Sequence, residues 1–166
     1  NTRIIMKWAA ALTFVLVTFT VTPGQASLCP EGYQEFTVDS APVKIKFYMY
    51  GKESKGSWST IRSKCRDEGA DLAELRGDLV RQVRNYIFDH PECGYEDEGF
   101  WIGGSDAMEE GKWVWNSDNS PIGDDAPWWP GQPDGGTNAN YACVYTPDFY
   151  LHSCDNDIMI YGLCQI

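Results

Sequence analysis

The chemistry this chain can offer is carried mainly by side-chain oxygens. Between positions 118 and 140, Asp118, Asn119, Asp124, Asp125, Gln132, Asp134, Asn138 and Asn140 crowd a segment rich in Gly and Pro, and Asp155, Asn156 and Asp157 follow it. Hard cations such as Ca2+ collect about six to eight oxygens from carboxylates, amides and carbonyls, which a loop of this composition can supply. The EF-hand register D-x-[DN]-x-[DN]-G with a closing Glu is absent. Asn, Asp and Gly also make turns, so composition alone leaves both readings open. Catalytic patterns are missing: there is no G-x-S-x-G, no H-E-x-x-H and no Gly-rich phosphate loop. Of the two histidines, His90 precedes Pro91 at a predicted helix end, and His152 lies in a Tyr-Leu-His-Ser run that suits a half-buried strand. The adjacent acids Asp124-Asp125 could serve glycoside hydrolysis, but neighbouring loop acids are more often solvated charge. The expectation is a binding protein, not an enzyme.

Cysteine is the other reactive residue type. Cys29, Cys65, Cys93, Cys143, Cys154 and Cys164 include no C-x2-C pair, and with only two histidines available zinc is a poor fit. The N-terminus points to disulfides instead. Arg3 and Lys7 form a positive region, Trp8 to Val21 is apolar apart from three threonines, and Gly24-Gln25-Ala26 follows Pro23. This pattern predicts a signal peptide over residues 1–26, cleaved after Ala26, with Met6 as the initiator. The apolar run is shorter than the roughly 20 residues a membrane span needs. A secreted product without a membrane span would meet an oxidising compartment, where six cysteines pair. Sequence alone does not choose the pairing.

The elements that must position these groups belong to one domain. The 166 residues suit a single core, and 13 Lys+Arg against 24 Asp+Glu give a net charge of −11. Such a charge excludes the basic footprint of a nucleic-acid binder. Aromatics at 14%, with seven Trp and nine Tyr, exclude a disordered acidic tail. Trp58, Ile61 and Cys65 predict a helix over 57–69 stopped by Gly69, and Val80, Val83 and Ile87 predict one over 78–88 capped by Asp78. Strands are expected at 43–50, 70–75, 100–103, 112–115, 141–145 and 158–164. Residues 116–140 show almost no apolar periodicity, which in a compact domain marks a functional loop. The fold class is therefore α+β: two helices, several short strands and one long irregular loop.

Several motifs now line up. Trp101-Ile102-Gly103-Gly104 followed by Glu110-Gly111-Lys112-Trp113-Val114-Trp115 resembles the W-I-G…E-G-x-W-x-W core of C-type lectin domains. Trp58…Cys65…Gly69-Ala70-Asp71-Leu72-Ala73 is similar to that family's first helix and following strand, and Cys29-Pro30-Glu31-Gly32-Tyr33 to its opening. Trp129-Pro130-Gly131-Gln132-Pro133-Asp134 looks like its sugar-site loop. The resemblance covers essentially all of 28–166, so residues 27–166 are identified as a C-type lectin domain. It implies the bridges Cys65–Cys164 and Cys143–Cys154. Cys29 and Cys93 are left over and are expected to pair within the chain, with an intermolecular bridge, and hence a homo-oligomer, as the rival.

In that family the proline of Gln132-Pro133-Asp134 is cis, and its flanking residues bind one Ca2+ and two vicinal sugar hydroxyls. The order amide-then-acid resembles the galactose-type version. The resemblance thus implies Ca2+ and glycan at Gln132, Asp134 and Asn140, with Trp129, Trp128 or Tyr141 as an aromatic platform. Glycans on microbial surfaces, recognised in innate defence, are the implied partners. The departures are equally specific. Tyr141 stands where the family has a Ca2+-binding Glu, and Phe149-Tyr150-Leu151 or Leu151-His152-Ser153 where it has Trp-Asn-Asp. Asp148 and the cluster Asp155-Asn156-Asp157 are the candidate substitutes. The alternative is a domain with a degraded Ca2+ site that binds protein or mineral surfaces without calcium.

Overall fold

A computed structural model describes residues 29, 32–48, 55–95, 97–123, 125–146 and 148–166. The expected signal peptide lies outside these residues. Among them no helix is long and apolar enough to cross a membrane.

The first element is a hairpin of β1 (Tyr33–Val38) and β2 (Ala41–Tyr48). Asp39 and Ser40 connect the strands with φ of 48° and 69°, the left-handed conformation a two-residue hairpin turn requires. Only the second strand was expected, because β1 alternates polar and apolar residues too weakly to register. Helix α1 (Trp58–Asp67) follows; the Ser57 hydroxyl accepts the Thr60 N–H, and Trp58, Ile61 and Cys65 face inward as expected. Gly69 ends it at φ +76°, with the Ala70 N–H returning to the Cys65 carbonyl. Helix α2 (Leu79–Asp89) buries Leu79, Val83 and Ile87, and Val80 lies at the edge of that face. The expected cap at Asp78 is corrected: its backbone is already helical and its carboxylate caps no N–H, bonding Arg81 at 2.7 and 2.9 Å instead.

The strands form one sheet in the order β1-β2-β8-β4-β6-β7. Here β4 is Gly99–Ser105, β6 Tyr141–Tyr145, β7 Leu151–Cys154 and β8 Tyr161–Gln165. Short strands β3 (Asp71–Leu72) and β5 (Val114–Trp115) pair with β8 and β4. All pairs are antiparallel except β4–β8. The expected strand over 70–75 shortens to β3, although Ala73 still bonds Leu163 and Gly103 through its backbone. The strand expected at 158–164 begins later, because Ile158 closes a turn on Asp155.

Strand β4 is buried throughout and is the axis of the core. Its glycines have a steric reason: a Cβ on Gly103 would stand 2.7 Å from the Leu72 carbonyl oxygen, and one on Gly104 2.9 Å from the Ala142 Cβ. The Trp101 indole, from β4 itself, donates to the Gly56 carbonyl, and the Trp58 indole of α1 donates to the Ile102 carbonyl; both lie in one buried cluster. Disulfides join Cys65 of α1 to Cys164 of β8, Cys143 of β6 to Cys154 of β7, and Cys29 to Cys93 in the 3-10 turn after α2. No cysteine is free, so the route to a dimer through Cys29 or Cys93 is closed.

Candidate functional site

The long loop is held by bonds from both of its halves. In the first half, buried Glu74 accepts from the Ser117 N–H at 2.7 Å and from Arg76 at 2.6 Å, and Arg76 reaches Asp118 at 2.9 Å. Asp118, counted among the possible cation ligands, is thereby committed to an arginine, and its carboxyl is held well below the usual range by Arg76 and Ser120. In the second half, Leu151 exchanges backbone bonds with Pro127 and Trp129, which lays residues 127–129 along β7.

That seam presents the Gln132-Pro133-Asp134 turn, whose Gln132–Pro133 peptide is cis. Ser153 of β7 organises it. The Gln132 Oε1 accepts the Ser153 N–H at 2.7 Å and its hydroxyl at 2.8 Å, while the Ser153 Oγ accepts the N–H groups of Asp134 and Gly135 at 3.0 and 3.3 Å. A backbone N–H can only donate, so the amide atom facing it must be oxygen. The amide nitrogen consequently faces outward and donates to the exposed Asp134 carboxylate at 2.6 Å. One amide N–H and the second carboxylate oxygen remain as a donor and an acceptor side by side.

Beside this pair lies an aromatic surface. Trp129 is 41% exposed, its ring stacked on His152 at 5.9 Å and edge-on to Tyr150 at 5.4 Å; Tyr150 is 40% exposed. The other platform candidates face inward: Trp128 packs edge-on against Trp113 at 5.0 Å, and Tyr141 stacks on Trp58 at 4.2 Å. Burial lowers the His152 pKa, opposed by Asp148 and Asp134. The Asp148 carboxylate is 3.9 Å from the His152 Nε2, too far for a hydrogen bond. His152 lies half-buried in a strand, as its Tyr-Leu-His-Ser run suggested, whereas Ser153 and Tyr150 were assigned no site role from sequence, because their roles depend on how β7 faces the loop.

The remaining expected ligands do not converge. The Asn140 N–H donates to the Asn156 side chain, and its carbonyl accepts from the Asp106 N–H. Asn156 also binds the Asn138 carbonyl through its own N–H, and Asp155 accepts the Asp157 N–H in a local turn, so this cluster is used to pin the loop. Of the two places where the Asn-Asp pair could stand, Tyr150-Leu151 offers a ring and a fully buried alkyl group, and in His152-Ser153 the serine hydroxyl is bonded to Gln132. A carboxylate missed from sequence, Asp106, is 3% exposed; one oxygen accepts the Gly111 N–H and the other bonds no protein group. It lines a cavity of about 50 Å3 with Glu110, Asp134 and Ser153. Among the described residues no three His, Cys, Asp or Glu side chains form a group that could hold a metal ion. At the Gln132-Pro133-Asp134 turn the residues do not fit a calcium ion, because the amide oxygen that would bind it already accepts two hydrogen bonds from Ser153. Larger clefts lie elsewhere: about 260 Å3 beside Arg76 and Trp115, and about 320 Å3 between Val80, Arg84, Phe149 and Tyr150.

The model of the lectin C-type domain matches residues 54–165. The galactose-specific lectin nattectin of Thalassophryne nattereri is 31% identical over 116 residues, 69% of this chain and 64% of that protein. The low affinity immunoglobulin epsilon Fc receptor of Mus musculus is 30% identical over 110 residues, 66% of this chain and 28% of the receptor. The chain thus spans less than two thirds of either relative. In fold it is similar to the carbohydrate-recognition domain of the mouse scavenger receptor C-type lectin, with a TM-score of 0.66 and 21% identity over 83% of this chain and 97% of that one. By its fold and by the family motifs on β4 and the long loop, the chain belongs to the C-type lectin domain family.

Proposed function

We propose that this protein is a secreted carbohydrate-binding lectin of galactose-type preference whose sugar seat is Trp129, Gln132 and Asp134. The observation that carries the reading is an exposed indole braced by His152 and Tyr150, beside an amide–carboxylate pair on one turn. Pyranose rings have an apolar C–H face that stacks on an indole, and hydroxyls that need a donor and an acceptor at fixed spacing. The Gln132 N–H donates to one hydroxyl of a vicinal pair and the Asp134 carboxylate accepts from the other. The amide-then-acid order and the galactose specificity of the relative nattectin support galactose over mannose. Asn140, anchored through its backbone, is assigned no sugar contact. Microbial surface glycans are the proposed partners, and three disulfides suit an extracellular setting. The rival reading, an acidic loop that docks protein or mineral, is weaker because Asp118 and Asp155 are internally committed.

Retention on galactose-agarose and mannose-agarose tests the proposal. Preferential retention on galactose, released by free galactose, is expected. Equal retention on both resins, or none, overturns it.

A further inference from the structure

We infer that saccharide binding here is independent of calcium, and that Ser153 is the positioning residue that makes it so. The inference rests on the lectin reading above and states how that seat works. An amide oxygen has two acceptor positions, and both on Gln132 are filled by Ser153, one from its N–H and one from its hydroxyl. A cation could claim this oxygen only by displacing one of these two Ser153 donors, and a buried donor left without its acceptor costs as much as an unmade hydrogen bond. The expected further ligands do not compensate. Tyr150-Leu151 brings a ring and a buried alkyl group, and His152-Ser153 a hydroxyl already bonded to Gln132, at the two places where the Asn-Asp pair could stand; Tyr141 stacks on Trp58, and Asn156 bonds the backbone of residues 138 and 140. The same Ser153 bonds turn the amide N–H outward and, through the Ser153 Oγ, hold Asp134 and Gly135 in place. Trp129 then supplies the sugar contact that in a metal-centred site the ion provides.

The experiment is chromatography on galactose-agarose in buffer containing millimolar Ca2+ or EDTA, with thermal unfolding of each protein in Ca2+ alone. Equal retention of the wild type in both buffers is expected. Trp129→Ala should lose retention in both, by about tenfold or more in affinity. Ser153→Ala should weaken it in EDTA, and Ser153→Thr, which keeps the hydroxyl, should restore it. Release of the wild type by EDTA overturns the inference and leaves the lectin reading standing. No retention on galactose or mannose resin in either buffer overturns both. Where Ser153→Ala fails to fold, the Thr variant and the EDTA comparison still decide. A rise in melting temperature with Ca2+ that Gln132→Ala abolishes also overturns the inference, because it puts the ion on the oxygen assigned to Ser153.

Discussion

Glu74 shows how a single side chain can fix a loop far from it in sequence. Its carboxylate joins Arg76, the Ser117 N–H and the Ser117 hydroxyl, so the segment between Asn116 and Ile122 starts from a defined place. Glu74→Ala leaves a buried N–H and a guanidinium short of acceptors and should cost about 2 kcal/mol in urea unfolding; Glu74→Gln, which keeps an acceptor for Ser117, should cost less. His152 is the residue with a pH consequence. Its folded pKa lies below the ordinary 6.5 because burial disfavours the imidazolium, with Asp148 and Asp134 only partly offsetting this. The unfolded chain therefore binds the proton more readily, and stability falls as pH drops from about 6.5 toward the folded value. Melting temperatures measured across that window should fall, and His152→Gln should flatten the slope. None of these roles was legible in sequence, since the Ser117 partner of Glu74 and the Gln132 partner of Ser153 are 43 and 21 residues away.

At the scale of elements, the sequence spoke clearly where periodicity and steric demand coincide. Trp58, Ile61 and Cys65 mark α1 because its buried face is narrow and regular. Helix α2 is displaced by one position: Leu79 takes the inner place and Val80 the rim, which a three-residue pattern cannot separate. Strand β7 was suggested only by the run around His152 and given no bounds, because Leu-His-Ser-Cys has neither alternation nor β-branched residues, and yet it carries the serine on which the Gln132-Pro133-Asp134 turn rests. Strand β4 is the opposite case, its glycines readable as a motif and explained only by contacts. Gly103→Ala drives a methyl group into the Leu72 carbonyl and should destabilise by roughly 1–3 kcal/mol, an overpacking cost that calorimetry or chemical denaturation will register.

For the whole molecule, the order of motifs was enough to place the chain in its family, and it was the family resemblance, not the spacing of the cysteines, that implied Cys65–Cys164 and Cys143–Cys154 and left Cys29 and Cys93 to pair. The bridges differ in weight. Cys65–Cys164 closes a separation of 99 residues and Cys143–Cys154 one of 11, so on loop-closure entropy removing the first should cost about 4–5 kcal/mol and the second roughly 3. Paired Cys→Ala variants compared by denaturation should follow that order. The direction of the Gln132 amide is a different kind of property. The family resemblance implied an oxygen turned toward calcium, and the distant strand β7 holds it inward. In the proposed binding mode sugar sits on Trp129 and the outward amide–carboxylate pair. Amide chemical-shift mapping by NMR in EDTA, with galactose added, tests it most directly. The Trp129 indole N–H and the Gln132 side-chain amide should move most; shifts confined to Val80, Arg84 and Phe149 in the cleft beside α2 would contradict it.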